Sequence, residues 1–187
     1  MPQQANGEIT MKNFLIIVAS LTLFVGAIAG RSFYRFQKSE KAMQVFDTHL
    51  DEYFSAKITD TANQTQPYTK GALITLDIDS KTIDWFTFPK LDESIKAKTP
   101  EEMKTIVMIK WGEIKEGDYL DEKGVKVGEA FRSTATLTII DWEKKTKIGE
   151  KIILGQSPLK THQLGGDFKS AQPMFKVIEY LEQLPKK

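Results

Sequence analysis

"AFRSTATLTIIDW", residues Ala130–Trp142, is the stretch whose reading decides the fold. Phe131, Ser133, Ala135, Leu137 and Ile139 recur at every second position and share one face of a strand. Arg132, Thr134, Thr136 and Thr138 share the other. One covered face and one wetter face favour antiparallel pairing.

Similar runs surround it. Gly71–Ile78 (GALITLDI), Thr82–Phe88 (TIDWFTF), Thr105–Trp111 (TIVMIKW), a shorter run about Asp118-Tyr119-Leu120, and Lys147–Leu154 (KIGEKIIL) all read as strands. Thr99-Pro100-Glu101-Glu102 predicts a capped turn, with Thr99 as N-cap, Pro100 at the first position and Glu102 reaching back. A last helix is expected from Pro173 to Leu184, with Met174, Val177, Ile178, Leu181 and Leu184 as its apolar stripe and Pro185 as its stop. The expected fold is α+β: a mostly antiparallel sheet of about six strands, joined by hairpins and covered by the C-terminal helix as a two-layer sandwich.

Two segments echo each other. "LITLDIDSKT" and "TLTIIDWEKKT" both run from an apolar strand into Asp, one residue, an acid, and then Lys-Thr. Asp at a strand end accepts hydrogen bonds from its own backbone and starts a turn, so two similar hairpins are expected at Asp77 and Asp141. Asp77 and Asp79 lie two apart and so point the same way, as a cation pair would; turn formation is the simpler reading. Asp84 and Asp141, each followed by Trp, form a matched acid–aromatic pair, and Trp85, Trp111 and Trp142 read as core or rim residues.

Ahead of the strands, Ser39–Phe54 predicts an amphipathic helix with Ala42, Val45, Phe46, His49, Leu50 and Tyr53 on one side. Phe33, Tyr34 and Phe36 precede it, as a membrane-interface belt would. "FLIIVASLTLFVGAIAG", Phe14–Gly30, is uncharged and bracketed by Lys12 and Arg31. It lies at the short end of the lengths that cross a bilayer, about 17–25 residues. Small residues four apart, Gly26 and Gly30, suit close approach of two membrane helices. The same run reads as a signal peptide if translation starts at Met11 rather than Met1, with Ala27-Ile28-Ala29 as the processing site. Export is the preferred orientation; Arg31, Arg35, Lys38 and Lys41 just after the run argue for a cytoplasmic domain instead. The organisation is then 1–30 tail and anchor or signal, 31–56 juxtamembrane helix, 57–70 linker, and 71–187 α+β domain. Asn63-Gln64-Thr65 in the linker fits the N-glycosylation pattern.

Composition narrows the chemistry. The 187 residues hold 26 basic and 25 acidic side chains, a net charge of +1 with no basic stripe, which argues against nucleic acid. Cysteine is absent and histidine occurs twice, so neither a disulfide nor a thiolate is available and a histidine-built zinc site is disfavoured. No cofactor or metal site is expected. The longest irregular piece, Gly155–Ser170 (GQSPLKTHQLGGDFKS), supplies the candidate ligand- or partner-binding residues Lys160, His162, Gly165, Gly166, Asp167 and Lys169. Its cations suit an anion and its glycines let backbone N–H groups turn toward a ligand. Ser157, His162 and Asp167 are the residue types of a hydrolase triad, but no Gly-x-Ser-x-Gly elbow accompanies them.

The expected function is a membrane-anchored, extracytoplasmic binding or assembly domain of a bacterial envelope, held by the lipid bilayer through Phe14–Gly30. The rivals are an envelope hydrolase using Asp and His near the 155–170 loop, and a soluble secreted or periplasmic ligand-binding domain released by cleavage near Ala29.

Overall fold

The computed structural model describes residues 37, 39–60, 66–159 and 166–187. Two compact units divide the chain, Met1–Ala42 and Met43–Lys187. In the first, the described residues 37 and 39–42 are helical. The expected membrane or signal helix, Phe14–Gly30, lies outside the described residues.

The second unit is mixed α and β: a seven-stranded sheet with a C-terminal helix. Its strands are β1 (Thr59–Asp60), β2 (Ala72–Asp77), β3 (Thr82–Ile83), β4 (Met103–Leu120), β5 (Lys126–Asp141), β6 (Thr146–Leu154) and β7 (Phe168–Lys169). The order is β1-β6-β5-β4-β2-β3, with β7 also on β5. Hairpins β2–β3, β4–β5 and β5–β6 are antiparallel. Three pairings are parallel instead: β2 with β4, β1 with β6, and β7 with β5. The first arises because the chain leaves β3, crosses residues 84–102, and re-enters on the far side of β2. Strand β2 is thereby covered on both faces, and Leu73, Ile74, Thr75 and Leu76 are all fully buried.

The alternation expected in Ala130–Trp142 is realised over Ala135–Ile139; before it Phe131 is half-buried and Thr134 is buried. Ala135, Leu137 and Ile139 are fully buried, while Thr136 and Thr138 on the other face are half-buried. They meet Ile106, Val107 and Ile109 of β4 in one core. Two helices complete this unit: α1 (Leu50–Ser55) and α2 (Met174–Glu182). Helix α2 adds Val177, Ile178 and Leu181 to that core. Each such side chain contributes about 1.5–3 kcal/mol of burial.

Four elements differ from the sequence expectation. The helix expected over 39–54 is broken: residues 39–44 are helical, Asp47–His49 is a 3₁₀ turn, and α1 follows. Phe46 and His49 N–H groups donate three residues back, to Met43 and Phe46 carbonyls. That tighter winding turns Phe46 into the core against Phe88 and leaves Val45 exposed. The strand expected over 82–88 stops after Ile83, because Asp84 caps a turn: its Oδ1 accepts from Thr87 N at 2.7 Å and its carbonyl from Phe88 N at 3.1 Å. The runs at 105–111 and 118–120 are one strand, β4, carried through bulges at Lys115/Gly117 and Tyr119/Leu120. Finally β1 and β7 were too short for periodicity to reveal.

The echoed segments form the same turn twice. Asp77 pairs with Thr82 and Asp141 with Thr146. Asp77 Oδ1 accepts from Asp79 and Ser80 N–H groups, and Asp141 Oδ1 from Lys144 N. Each turn ends on a left-handed lysine, Lys81 at φ 54° and Lys145 at φ 52°.

Candidate functional site

Of the residues expected to bind, Lys160, His162 and Gly165 lie outside the described residues. The other three are brought together on β5. Gly166, at φ 89°, donates its N–H to Val127 O at 2.6 Å. A Cβ on Gly128 would collide with the Gly166 carbonyl, so two backbones meet where only glycine fits. Asp167 Oδ1 accepts from Glu129 N at 3.0 Å, and Lys169 Nζ pairs with Glu113 at 2.8 Å. Ser157 Oγ accepts from Arg132. These contacts dock the returning chain on β5; they use the Gly166 N–H and the Asp167 carboxylate that a ligand would need.

The remaining acids sort by partner. Asp84 is fully buried and receives Thr87 N, Thr87 Oγ1 at 2.6 Å and Trp111 Nε1 at 2.9 Å; Thr87 Oγ1 also meets Thr75 Oγ1 at 2.9 Å. This polar knot fastens the 84–90 crossover to β2 and β4. Asp141, also buried, keeps Oδ2 without a hydrogen bond, 4.0 Å from Lys70 Nζ. Lys70 also pairs with Glu143, which Lys104 reaches at 2.8 Å. The Lys104 and Lys70 ammonium groups hold the Glu143 carboxyl down at about 2, and Glu143 in turn raises Lys70. Beside it Tyr53 stacks edge-on to Trp142, its ring centroid 5.2 Å away, and burial lifts its phenol to about 12. Lys145 lies over the Trp142 ring. So the two acids are not a matched pair: Asp84 is tied to an aromatic through Trp111, while the cation nearest Asp141 is Lys70. Among the described residues, no group of three or more His, Asp or Glu side chains is placed to hold a metal ion.

The geometry that remains open is at the edge of the sheet. Beyond Thr146 and Lys147, which pair with β1, the outer side of β6 has no strand partner among the described residues. A groove of about 420 Å³ runs along Lys151–Leu154, walled by Lys176, Glu179 and Tyr180 from α2 and by Gln183 just after it. Those α2 positions follow helical spacing, so one stripe of the helix faces the strand. Ile152 is 58% exposed and Leu154 40%. Lys176 Nζ donates to Leu154 O at 3.0 Å. Neither a long loop nor a cluster of ionisable side chains marks this site in the sequence. Its signal was the run Ile152-Ile153-Leu154: on a strand, three consecutive apolar residues cannot all face one core, and here Ile153 alone is buried.

Among the described residues, no helix is long and apolar enough to cross a membrane. Compared with known proteins, the chain matches no family model, no curated protein and no solved structure.

Proposed function

We propose that this chain is a membrane-tethered, non-enzymatic assembly module: a two-layer sandwich displayed on the extracytoplasmic side and held by Phe14–Gly30 in the bilayer. The observation that carries the reading is the β6 edge left open among the described residues, with Ile152 and Leu154 exposed beside a groove. Sheet edges of monomeric domains are ordinarily blunted by charge, proline or a covering segment. The uncharged run Phe14–Gly30 supports the tether. Confinement to a surface raises the local concentration of such an edge without any new contact.

The test is fractionation of the full chain from cells. It should pellet with membranes, resist alkaline carbonate extraction, and lose both properties when residues 14–30 are deleted. External protease acting on intact spheroplasts should then remove the domain. A full chain recovered intact from the cytosolic supernatant would overturn the tether.

A further inference from the structure

We propose that β6 pairs with β6 of a second copy of this chain, antiparallel about a two-fold axis at Ile152, so that two sheets join edge to edge. The assembly reading supplies its use; its chemistry lies wholly in residues 43–187. The backbone comes first. Gly155 N donates to Ser133 O at 2.7 Å, which makes Ser133 and Gly155 a hydrogen-bonded pair. Antiparallel pairs alternate, so Ile153 and Lys151 also turn their amides toward β5, and Glu150, Ile152 and Leu154 turn theirs outward. The Leu154 carbonyl agrees: it faces out and meets Lys176.

The open stretch is fenced at both ends. Pro67 sits against Gly149, where an added Cβ would come within 2.6 Å of its ring, and Lys176 stands at Leu154. Between the fences Ile152 is central. Alternating outward donors and acceptors at this spacing are matched by one kind of partner, another extended backbone.

Charge disfavours two of the neighbouring registers of a second copy. Centred on Ile152, two antiparallel copies place Glu150 opposite Leu154 and Lys151 opposite Ile153, while Ile152 covers its own equivalent. Sliding the centre to Lys151 sets Lys151 against Lys151, and sliding it to Glu150 sets Glu150 against Glu150; directly opposed like charges are destabilising. In the favoured register Glu150 of one copy arrives beside the carbonyl that carries the Lys176 ammonium of the other. The outer side of β4 beyond Ile109, unpaired among the described residues, is more densely charged: Glu113, Lys115, Glu116 and Asp118 are tied into ion pairs there, whereas between the fences of β6 the charges are Glu150, paired with Lys147, and Lys151.

The chain has no cysteine, so Ile152→Cys introduces a sole thiol on the axis. Opposed Cα atoms in such a pair lie about 5.5 Å apart, within disulfide range. The full chain in non-ionic detergent micelles is treated with a mild oxidant and run on a non-reducing gel. Ile152→Cys should form covalent dimer at least about tenfold faster than Phe175→Cys, an exposed α2 control. In the same micelles, sedimentation should show Ile152→Lys weakening the dimer at least about tenfold, with an unchanged circular dichroism spectrum. Equal cross-linking of the two thiols, a wild-type monomer at all concentrations, or a dimer indifferent to Ile152→Lys (as association through Phe14–Gly30 would give) each overturns the proposal. Failure of the fractionation test leaves these outcomes untouched, and the reverse also holds, so the two readings fall separately.

Discussion

The β4–β5 hairpin is one ladder with two kinds of support. From Thr105 to Trp111, β4 is flanked by β5 and, as far as Ile109, by β2; Ile106, Val107 and Ile109 are fully buried. From Gly112 to Leu120 the same strand continues on β5, yet most of its side chains are exposed. There Lys115 bridges Asp118 and Glu129 at 2.7 Å each, and Lys126 joins the same two acids. These acids hold the Lys115 ammonium above its usual range, and the two lysines hold Asp118 and Glu129 below theirs. Both halves keep the β4–β5 ladder. They differ in apolar burial, which scales with area removed from water, whereas exposed ion pairs add about 0–1 kcal/mol. The base should therefore unfold with the whole domain, and the tip should open locally at lower cost.

Leu137→Ala attacks the base and should have the largest effect, about 2–5 kcal/mol. Denaturant unfolding should show one cooperative transition moved to lower denaturant. A loss confined to the tip would break the comparison. Next is Gly128→Ala, which drives a methyl into the Gly166 carbonyl where the returning chain docks. About 1–3 kcal/mol is expected, as for other overpacked contacts. Hydrogen exchange should locate it: faster at Gly166 and Ser170, unchanged at Ile106. Lys115→Ala should cost less than either, and the cost should fade in high salt. A salt-independent loss would mean that the tip is packed rather than paired.

The smallest effect concerns Glu143, the exposed ion pair at the base end. Its carboxyl titrates at about 2 when folded, against about 4.5 in the free side chain. A depressed value means that the unfolded chain binds the proton first. The stabilisation is present above about 4.5 and is lost as pH falls from there toward 2. Glu143→Gln should thus flatten the acid side of the stability–pH curve in that window and leave its neutral side nearly parallel. An unchanged acid limb would assign the loss to other carboxylates.

How much of this was legible in sequence follows from the range of each force. The alternation at Ala135–Ile139 and the stripe Val177–Leu181 declared themselves, because burial repeats with the period of the backbone. The twin turns at Asp77 and Asp141 were legible because an Asx turn is built within four residues. The parallel placement of β2 beside β4 was not, since nothing local in residues 84–102 encodes where the chain re-enters. Nor was the early end at Ile83: "TIDWFTF" has strand residues throughout, and the turn that Asp84 makes onto Thr87 is also held by Trp111 from across the sheet. At the candidate sites the same rule applied. Gly166, Asp167 and Lys169 looked available because their partners, Val127 and Glu129 on β5 and Glu113 on β4, are far away in the chain. The β6 edge went unseen because an edge is defined by what does not lie next to it.

The two left-handed lysines leave the molecule headroom. At φ near 50° a side chain costs roughly 1–2 kcal/mol that glycine does not bear. Replacing Lys81 with glycine should therefore raise the melting temperature at no expense to any partner. Lys145 should gain less, because its ammonium lies on Trp142 and near Glu52 and would be lost with it. The sequence thus carries two identical bends with unequal freedom to improve, and directed evolution for heat tolerance should find the first before the second.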